Sequence, residues 1–295
     1  MFETILVPTD GSEHAARAAE HGRDLARAFD ATVHVVSVVD VQGAAGRFDA
    51  GGVDEAFVER LEARSEEALS EVEGVFDGDV RTAVLRGEVV PEILEYAAAH
   101  DAGLLAMGTH GRTGLDRYML GSVTERVVRR ADVPVLTVRA TERSRATGRY
   151  EEVLVPTDGS EWSEAAVDPA LAIAREAGAR VHALCVVNVA DLGGGPDSTL
   201  PPEAFDYLES GAEEAVEQVA DRAREAGLEA VTDVRYGTPA RTLLRYAEQS
   251  GIDLVAMGTA GQTGPSRYLL GSTTERVVRH ADVPVLAVNA RGERE

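Results

Sequence analysis

The chain spells out one pattern twice. Ile5-Leu6-Val7-Pro8-Thr9-Asp10-Gly11-Ser12-Glu13 recurs as Val153-Leu154-Val155-Pro156-Thr157-Asp158-Gly159-Ser160-Glu161. Gly121-Ser122-Val123-Thr124-Glu125-Arg126-Val127-Val128-Arg129 recurs as Gly271-Ser272-Thr273-Thr274-Glu275-Arg276-Val277-Val278-Arg279. Solenoid repeats run about 20–50 residues, whereas each copy here is the size of an independent domain. The chain is therefore a tandem duplication, and a functional residue is to be sought at matching positions in both halves.

Within one half, strands and helices alternate. Thr4–Val7, Val33–Val39, Asp79–Leu85, Leu104–Met107 and Val135–Val138 read as strands, the continuous β-branched runs fitting burial on both faces. Ala15–Phe29, Asp54–Val75, a segment from Pro91 to His100 and Ser122–Arg130 read as helices, with Ser12 capping the first. Gln42–Val53 is Gly-rich and reads as a loop. The second half repeats the order as Val153–Val155, Ser163–Ala177, Val181–Val187, Glu203–Ala226, Glu229–Tyr236, Ala240–Gln249, Leu254–Met257, Ser272–His280 and Val285–Val288. Alternation of this kind implies right-handed βαβ crossovers and parallel sheets. The expected fold is α/β, two tandem doubly wound Rossmann-like domains of five parallel strands each. Their bounds are 1–140 and 150–290, with the polar stretch 141–149 as linker.

Composition excludes several chemistries. All 29 basic residues are Arg, set against 51 Asp and Glu for a net charge of −22. Without lysine there is no Walker A loop, no Schiff base and no kinase-type strand lysine. Such an acidic surface argues against nucleic acid and suits a high-salt, halophilic cytoplasm. One cysteine, Cys185, excludes an internal disulfide, and its apolar context reads as a small buried hydrophobe. No apolar run approaches the ~18 residues of a membrane span. Met1-Phe2-Glu3-Thr4 lacks the basic start of a signal peptide.

The most specific motif follows the fourth strand of each half. Gly108, Gly111 and Gly121-Ser122 return as Gly258, Gly261 and Gly271-Ser272 with the same internal spacing. Gly108 ends a strand at the carboxyl edge, where open α/β sheets bind ligands. The glycines let backbone approach a ligand closely, and Gly121-Ser122 opens a helix whose N–H groups attract an anion. The same residues would also make an ordinary turn, with Ser122 and Ser272 as helix caps. Asp10 and Asp158 follow Pro-Thr at the first strand's end, suited either to turn formation or to a ligand. His14 and His21 read as a solvated helix face. His34 and His182 are equivalent strand residues that read as packing, and Glu62–Glu73 as a solvated face. Arg117 and Arg267 recur inside the loops, either as ion-pair partners or as phosphate contacts. No Gly-x-Ser-x-Gly elbow surrounds Ser12 or Ser160.

The chain resembles the universal stress protein (UspA-like) family over almost all of both halves. The carriers are Val7-Pro8-Thr9-Asp10-Gly11-Ser12, Gly108-Thr109-His110-Gly111-Arg112-Thr113-Gly114, Gly121-Ser122 and Val133-Pro134-Val135-Leu136, with their counterparts. The glycine spacing resembles the ATP-binding branch. The resemblance implies ATP or a related adenine nucleotide as ligand, with Mg2+ or Mn2+. It gives Asp10 the ribose or adenine side and the backbone of Val38 the adenine. Gly108, Gly111, Gly121 and Ser122 take ribose and phosphates. In the second half the same roles fall to Asp158, Val186, Gly258, Gly261, Gly271 and Ser272. There His110, Arg112 and Leu115 are replaced by Ala260, Gln262 and Pro265, which removes a guanidinium able to pair with phosphate and stiffens the loop.

The expected function is a nucleotide-binding regulator of stress response and not a fast-turnover enzyme, with slow ATP hydrolysis left open. The alternative is a nucleotide-free scaffold of the same fold. An ATP-consuming adenylating or pyrophosphatase relative is the third and weakest reading, because no further catalytic residues are found. The apolar closing strands imply, by the same resemblance, an internal pseudo-dimer of the two halves. Homo-oligomerisation stays open.

Overall fold

The computed structural model describes residues 1–45, 54–111, 120–188, 202–260 and 270–290, with the side chains of 202–205 outside the description. It comprises two compact units, Met1–Gly148 and the residues from Arg149 onward.

The first unit runs β1 (Thr4–Pro8), α1 (Glu13–Phe29), β2 (Thr32–Val39), α2 (Val41–Ala45), α3 (Glu55–Glu73), β3 (Val80–Arg86), α4 (Val89–Ala99), β4 (Leu104–Gly108), α5 (Ser122–Arg130) and β5 (Val135–Val138). Its strands lie in the order β3-β2-β1-β4-β5, each pair parallel. The chain thus winds outward from β1 in one direction, then crosses to β4 and winds in the other. Ligands of doubly wound sheets bind outside the carboxyl ends of the strands at that reversal. Here it lies between β1 and β4.

Burial on both faces explains the uninterrupted apolar strands. Ile5, Leu6, Val7, Leu104, Leu105 and Ala106 are at most 1% exposed. Helix α1 covers β1 and β4 with Ala15, Ala18, Ala19, Gly22, Leu25 and Ala26. Small residues let it sit close: a methyl group on Gly22 would come within 3.1 Å of Val7 Cγ2.

The second unit repeats the plan with β6 (Glu152–Pro156), α6 (Glu161–Glu164), α7 (Val167–Ala177), β7 (Arg180–Val187), α8 (Pro202–Glu225), β8 (Ala230–Tyr236), α9 (Pro239–Gln249), β9 (Leu254–Gly258), α10 (Ser272–His280) and β10 (Val285–Val288). Its strands are ordered β8-β7-β6-β9-β10, again parallel.

Four local expectations are corrected. The stretch expected as one loop from Gln42 starts inside a helix, α2, while residues 46–53 lie outside the described residues. The helix expected over Ser163–Ala177 is broken into α6 and α7. Pro169 explains the break: it has no N–H to donate, and its ring excludes the carbonyl four residues back. Helical bonding resumes at Ala170, whose N–H reaches the Ala166 carbonyl at 3.0 Å.

The other two corrections belong together. The polar stretch read as a linker is laid along α1. The Ala140 N–H donates to His14 Nδ1 at 2.8 Å, and Arg17 Nη1 donates to the Thr141 carbonyl at 3.2 Å. His21 Nε2 donates to the Ser144 carbonyl at 2.8 Å, and the Gly148 N–H reaches Asp24 Oδ2 at 2.9 Å. Positions 14, 17, 21 and 24 form one helix face. That face is therefore covered and not solvated: His21 is 4% exposed, and burial holds its imidazole below the ordinary histidine range.

The strand histidines do pack. His34 Nδ1 lies 3.1 Å from the Tyr96 hydroxyl, and His182 Nδ1 lies 2.9 Å from that of Tyr246. The second copy adds a carboxylate, with Glu152 Oε2 at 2.7 Å from His182 Nε2.

Candidate functional site

Two turns meet outside the β1/β4 reversal. The first leaves β1. The Thr9 N–H donates to the Val36 carbonyl of β2 at 2.8 Å, and the Gly11 N–H to Thr9 Oγ1 at 3.1 Å. The Ser12 N–H donates to Asp10 Oδ1 at 3.0 Å. Ser12 Oγ caps α1 by accepting the Ala15 N–H at 3.2 Å. It also donates to the His110 carbonyl at 3.3 Å, which ties the first turn to the second.

The second turn leaves β4. A methyl group on Gly108 would lie 2.7 Å from the His14 backbone carbon and 2.8 Å from Ala15 N. Glycine is therefore required for β4 to end against the first turn of α1. A methyl on Gly111 would lie 2.5 Å from Asp10 Oδ2, so this pair, 101 residues apart in the chain, shares one exposed corner. Gly121 closes the motif: its N–H donates to the Thr109 carbonyl at 2.9 Å. The intervening residues 112–119, with Arg112, Leu115 and Arg117, lie outside the described residues.

Gly121, and not Ser122, holds the cap position of α5, with no side-chain cap bond. Gly271 does the same for α10. The reading of Ser122 and Ser272 as caps is thereby corrected. Each is the first helical residue and is exposed, so the opening N–H groups of the helix are not taken up by a side-chain cap. Val38 stands half-buried near the end of β2, two residues beyond the Val36 carbonyl that receives Thr9.

The second unit repeats this frame in part. The Thr157 N–H reaches the Leu184 carbonyl at 2.9 Å, and Val186 lies two residues further along β7. The Gly271 N–H reaches the Thr259 carbonyl at 2.7 Å. A methyl on Gly258 would lie 2.0 Å from the Trp162 carbonyl oxygen. Asp158 differs from Asp10 in its surroundings. Its Oδ1 accepts both the Ser160 N–H at 3.1 Å and the Ser160 hydroxyl at 2.5 Å. Ser163, where the first copy has Ala15, adds a hydroxyl 3.2 Å from Thr157 Oγ1. Burial, with the Asp158 carboxylate adding to it, pushes the Cys185 thiol up to about 11, so it stays protonated and unreactive at neutral pH. Gly261, Gln262, Pro265 and Arg267 lie outside the described residues.

Residues 1–139 and 149–289 each match the universal stress protein family. The chain belongs to that family. A universal stress protein of Methanocaldococcus jannaschii is 40% identical over 142 residues, covering 47% of this chain and 83% of the relative. One from Mycolicibacterium smegmatis is 28% identical over 298 residues, covering 97% of each chain. The crystal structure of a universal stress protein from Archaeoglobus fulgidus superimposes with a TM-score of 0.70 at 22% identity. It covers 99% of this chain and 97% of that one and shows the shared fold.

Three features of this universal stress protein escape the sequence reading. Thr124 Oγ1 donates to the Gly108 carbonyl at 2.7 Å, and Thr274 Oγ1 to that of Gly258 at 2.8 Å, pinning each helix to the end of its strand. A hydroxyl repeated three residues after the glycine in both copies was the available signal. The Ser12–His110 tie and the packing of the His14 and His110 rings, centroids 5.1 Å apart, had none. Among the described residues no cluster of three or more His, Cys, Asp or Glu is placed to hold a metal, and no helix is long and apolar enough to cross a membrane.

Proposed function

We propose that the first unit binds an adenine nucleotide, ATP foremost, and that the protein acts as a nucleotide-responsive regulator of stress response in the cytoplasm. The observation that carries this reading is the corner where a glycine backbone, Gly111, abuts the Asp10 carboxylate at the β1/β4 reversal. A side chain on Gly111 would displace the Asp10 carboxylate from this corner. In this reading Asp10 takes ribose hydroxyls or the adenine edge, and the backbone at Val38 takes adenine. Gly108, Gly111 and Gly121 let the backbone come close to ribose and phosphates, and Ser122 adds a hydroxyl at the opening of α5. A divalent cation would be held by the phosphates and Ser122, since the described side chains supply no metal cluster of their own. Fast turnover is not part of the proposal: among the described residues none is placed as a general base. Titration calorimetry with ATP and Mg2+ in multimolar KCl tests it, and absence of heat with ATP, ADP and AMP overturns it.

The second unit is read as the weaker site, formed by Asp158, Val186, Gly258, Gly261, Gly271 and Ser272. The bond from the Ser160 hydroxyl to Asp158 favours this, because it occupies a carboxylate oxygen that a ribose would need. In the limit that unit serves as a scaffold only.

We further propose an internal pseudo-dimer and adaptation to salt. The closing strands suggest an internal pseudo-dimer, so halves expressed separately should associate; halves that stay monomeric at high concentration and high salt would contradict it. The acidic, lysine-free surface suggests adaptation to salt. The Debye length falls from about 10 Å at 0.1 M to about 3 Å at 1 M salt, which screens carboxylate repulsion. The melting temperature is expected to rise steeply between low and multimolar KCl, and a salt-independent midpoint would remove the halophilic reading.

A further inference from the structure

We propose that the His14–His110 pair makes binding at the first unit's site a proton-coupled event, in which a nucleotide polyphosphate is taken up together with a proton accepted by the imidazole pair. The inference rests on the nucleotide reading above and adds a mode of regulation to it.

The geometry fixes the starting state. His14 stands in the first turn of α1, and His110 immediately precedes Gly111. Their ring centroids are 5.1 Å apart. His14 Nδ1 accepts the Ala140 N–H at 2.8 Å. A backbone amide only donates, so that nitrogen carries its lone pair and the ring is neutral. His110 Nδ1 lies 2.9 Å from Thr109 Oγ1, and a hydroxyl can serve either as donor or as acceptor. His110 can therefore gain a proton while the hydroxyl turns to accept. His14 gains one at Nδ1 only by releasing Ala140.

The charged and titratable groups facing His14 are His110, Glu13, Arg139 and Asp10. Burial first, then His110 and Arg139, hold its imidazole below the ordinary range, while Glu13 and Asp10 oppose them. Burial and the Ala140 amide thus hold His14 neutral when no ligand is bound. A phosphate charge brought within about 6 Å would, at an effective dielectric near 20, favour the imidazolium by roughly a hundredfold. Linkage then runs both ways: phosphate raises the proton affinity, and protonation raises the phosphate affinity by the same factor. The sign is fixed. Affinity rises as pH falls, by up to about tenfold per pH unit for one proton taken up. If His14 receives the proton, it gives up Ala140, the first clasp of the 140–148 segment on α1.

The second unit supplies the control. Trp162 and Ala260 occupy the places of His14 and His110 in the same fold, and neither titrates.

The test is titration calorimetry on the full chain in multimolar KCl with Mg2+-saturated ATP, at pH 6 to 8, in buffers of different ionisation enthalpy. The comparison proteins are H14W/H110A, which installs the second unit's own pair, and H110A alone, as a guard against misfolding. Wild type should take up close to one proton per ATP in excess of H14W/H110A, with an affinity that climbs toward pH 6, and H110A should still bind ATP. Uncharged adenosine should show neither effect. ATP binding with no excess proton over H14W/H110A overturns the inference and leaves the nucleotide reading intact. Binding of neither ATP nor adenosine overturns the nucleotide reading itself, and this inference falls with it.

Discussion

Gly111→Val is expected to reduce ATP affinity at the first unit at least a hundredfold, a loss of about 3 kcal/mol, without unfolding the protein. A Cβ at Gly111 would lie 2.5 Å from Asp10 Oδ2. That oxygen is the tip of an exposed side chain, so the carboxylate turns aside and the backbone stays in place. What is lost is the position of Asp10 and the close approach of the Gly111 backbone, both of which the proposed site uses. Titration calorimetry at high salt on wild type and variant measures the loss, and circular dichroism confirms the fold. Equal heats from the two proteins would show that this corner is not where nucleotide binds.

Gly108→Ala and Gly258→Ala are expected to act on stability. The atoms that a Cβ at Gly108 would meet are backbone or fixed to it: the His14 carbonyl carbon and Cβ, each at 2.7 Å, and Ala15 N at 2.8 Å. None of them can swing away, so α1 must lift from β4. Overpacking of this kind costs about 1–3 kcal/mol and at times more, or several degrees in melting temperature for a domain of this size. Gly258→Ala should be the worse of the two, because its Cβ would fall 2.0 Å from the Trp162 carbonyl oxygen. We expect the second unit of that variant to lose its cooperative transition in scanning calorimetry at multimolar KCl. A transition unshifted from wild type would mean that the two elements do not pack as closely as described.

The contrast between these substitutions bears on what glycine does in the shared motif. Gly108 and Gly258 are needed because a helix passes directly over the strand end. Gly111 is needed because a carboxylate from a distant turn shares its space. Spacing alone gives both the same symbol, whereas the identity of the neighbouring atom separates a stability effect from a binding effect.

Periodicity and duplication determined the architecture. Continuous apolar runs alternating with helices admit a parallel, doubly wound sheet, and a repeat of domain length implies two of them. Strand limits read from the sequence lie within one or two residues of those observed, because each strand is bounded by abrupt changes of polarity. The carboxyl-edge location of Asp10 and Gly108 was legible for the same reason: each stands at or just past the end of an apolar strand. Tertiary structure alone decided the rest. His14 and His21 look like polar residues on a solvated face until the 140–148 segment is laid across them. That segment has no apolar pattern, since it is held by hydrogen bonds from its own backbone. The division of α6 from α7 turned on Pro169, whose effect depends on whether the helix around it is already under way. The meeting of Asp10 with Gly111, and of Ser12 with His110, joins residues about a hundred positions apart through sheet order. Local sequence carries propensity and polarity, but proximity across a sheet is set by which strands become neighbours, and that is a property of the whole packed unit.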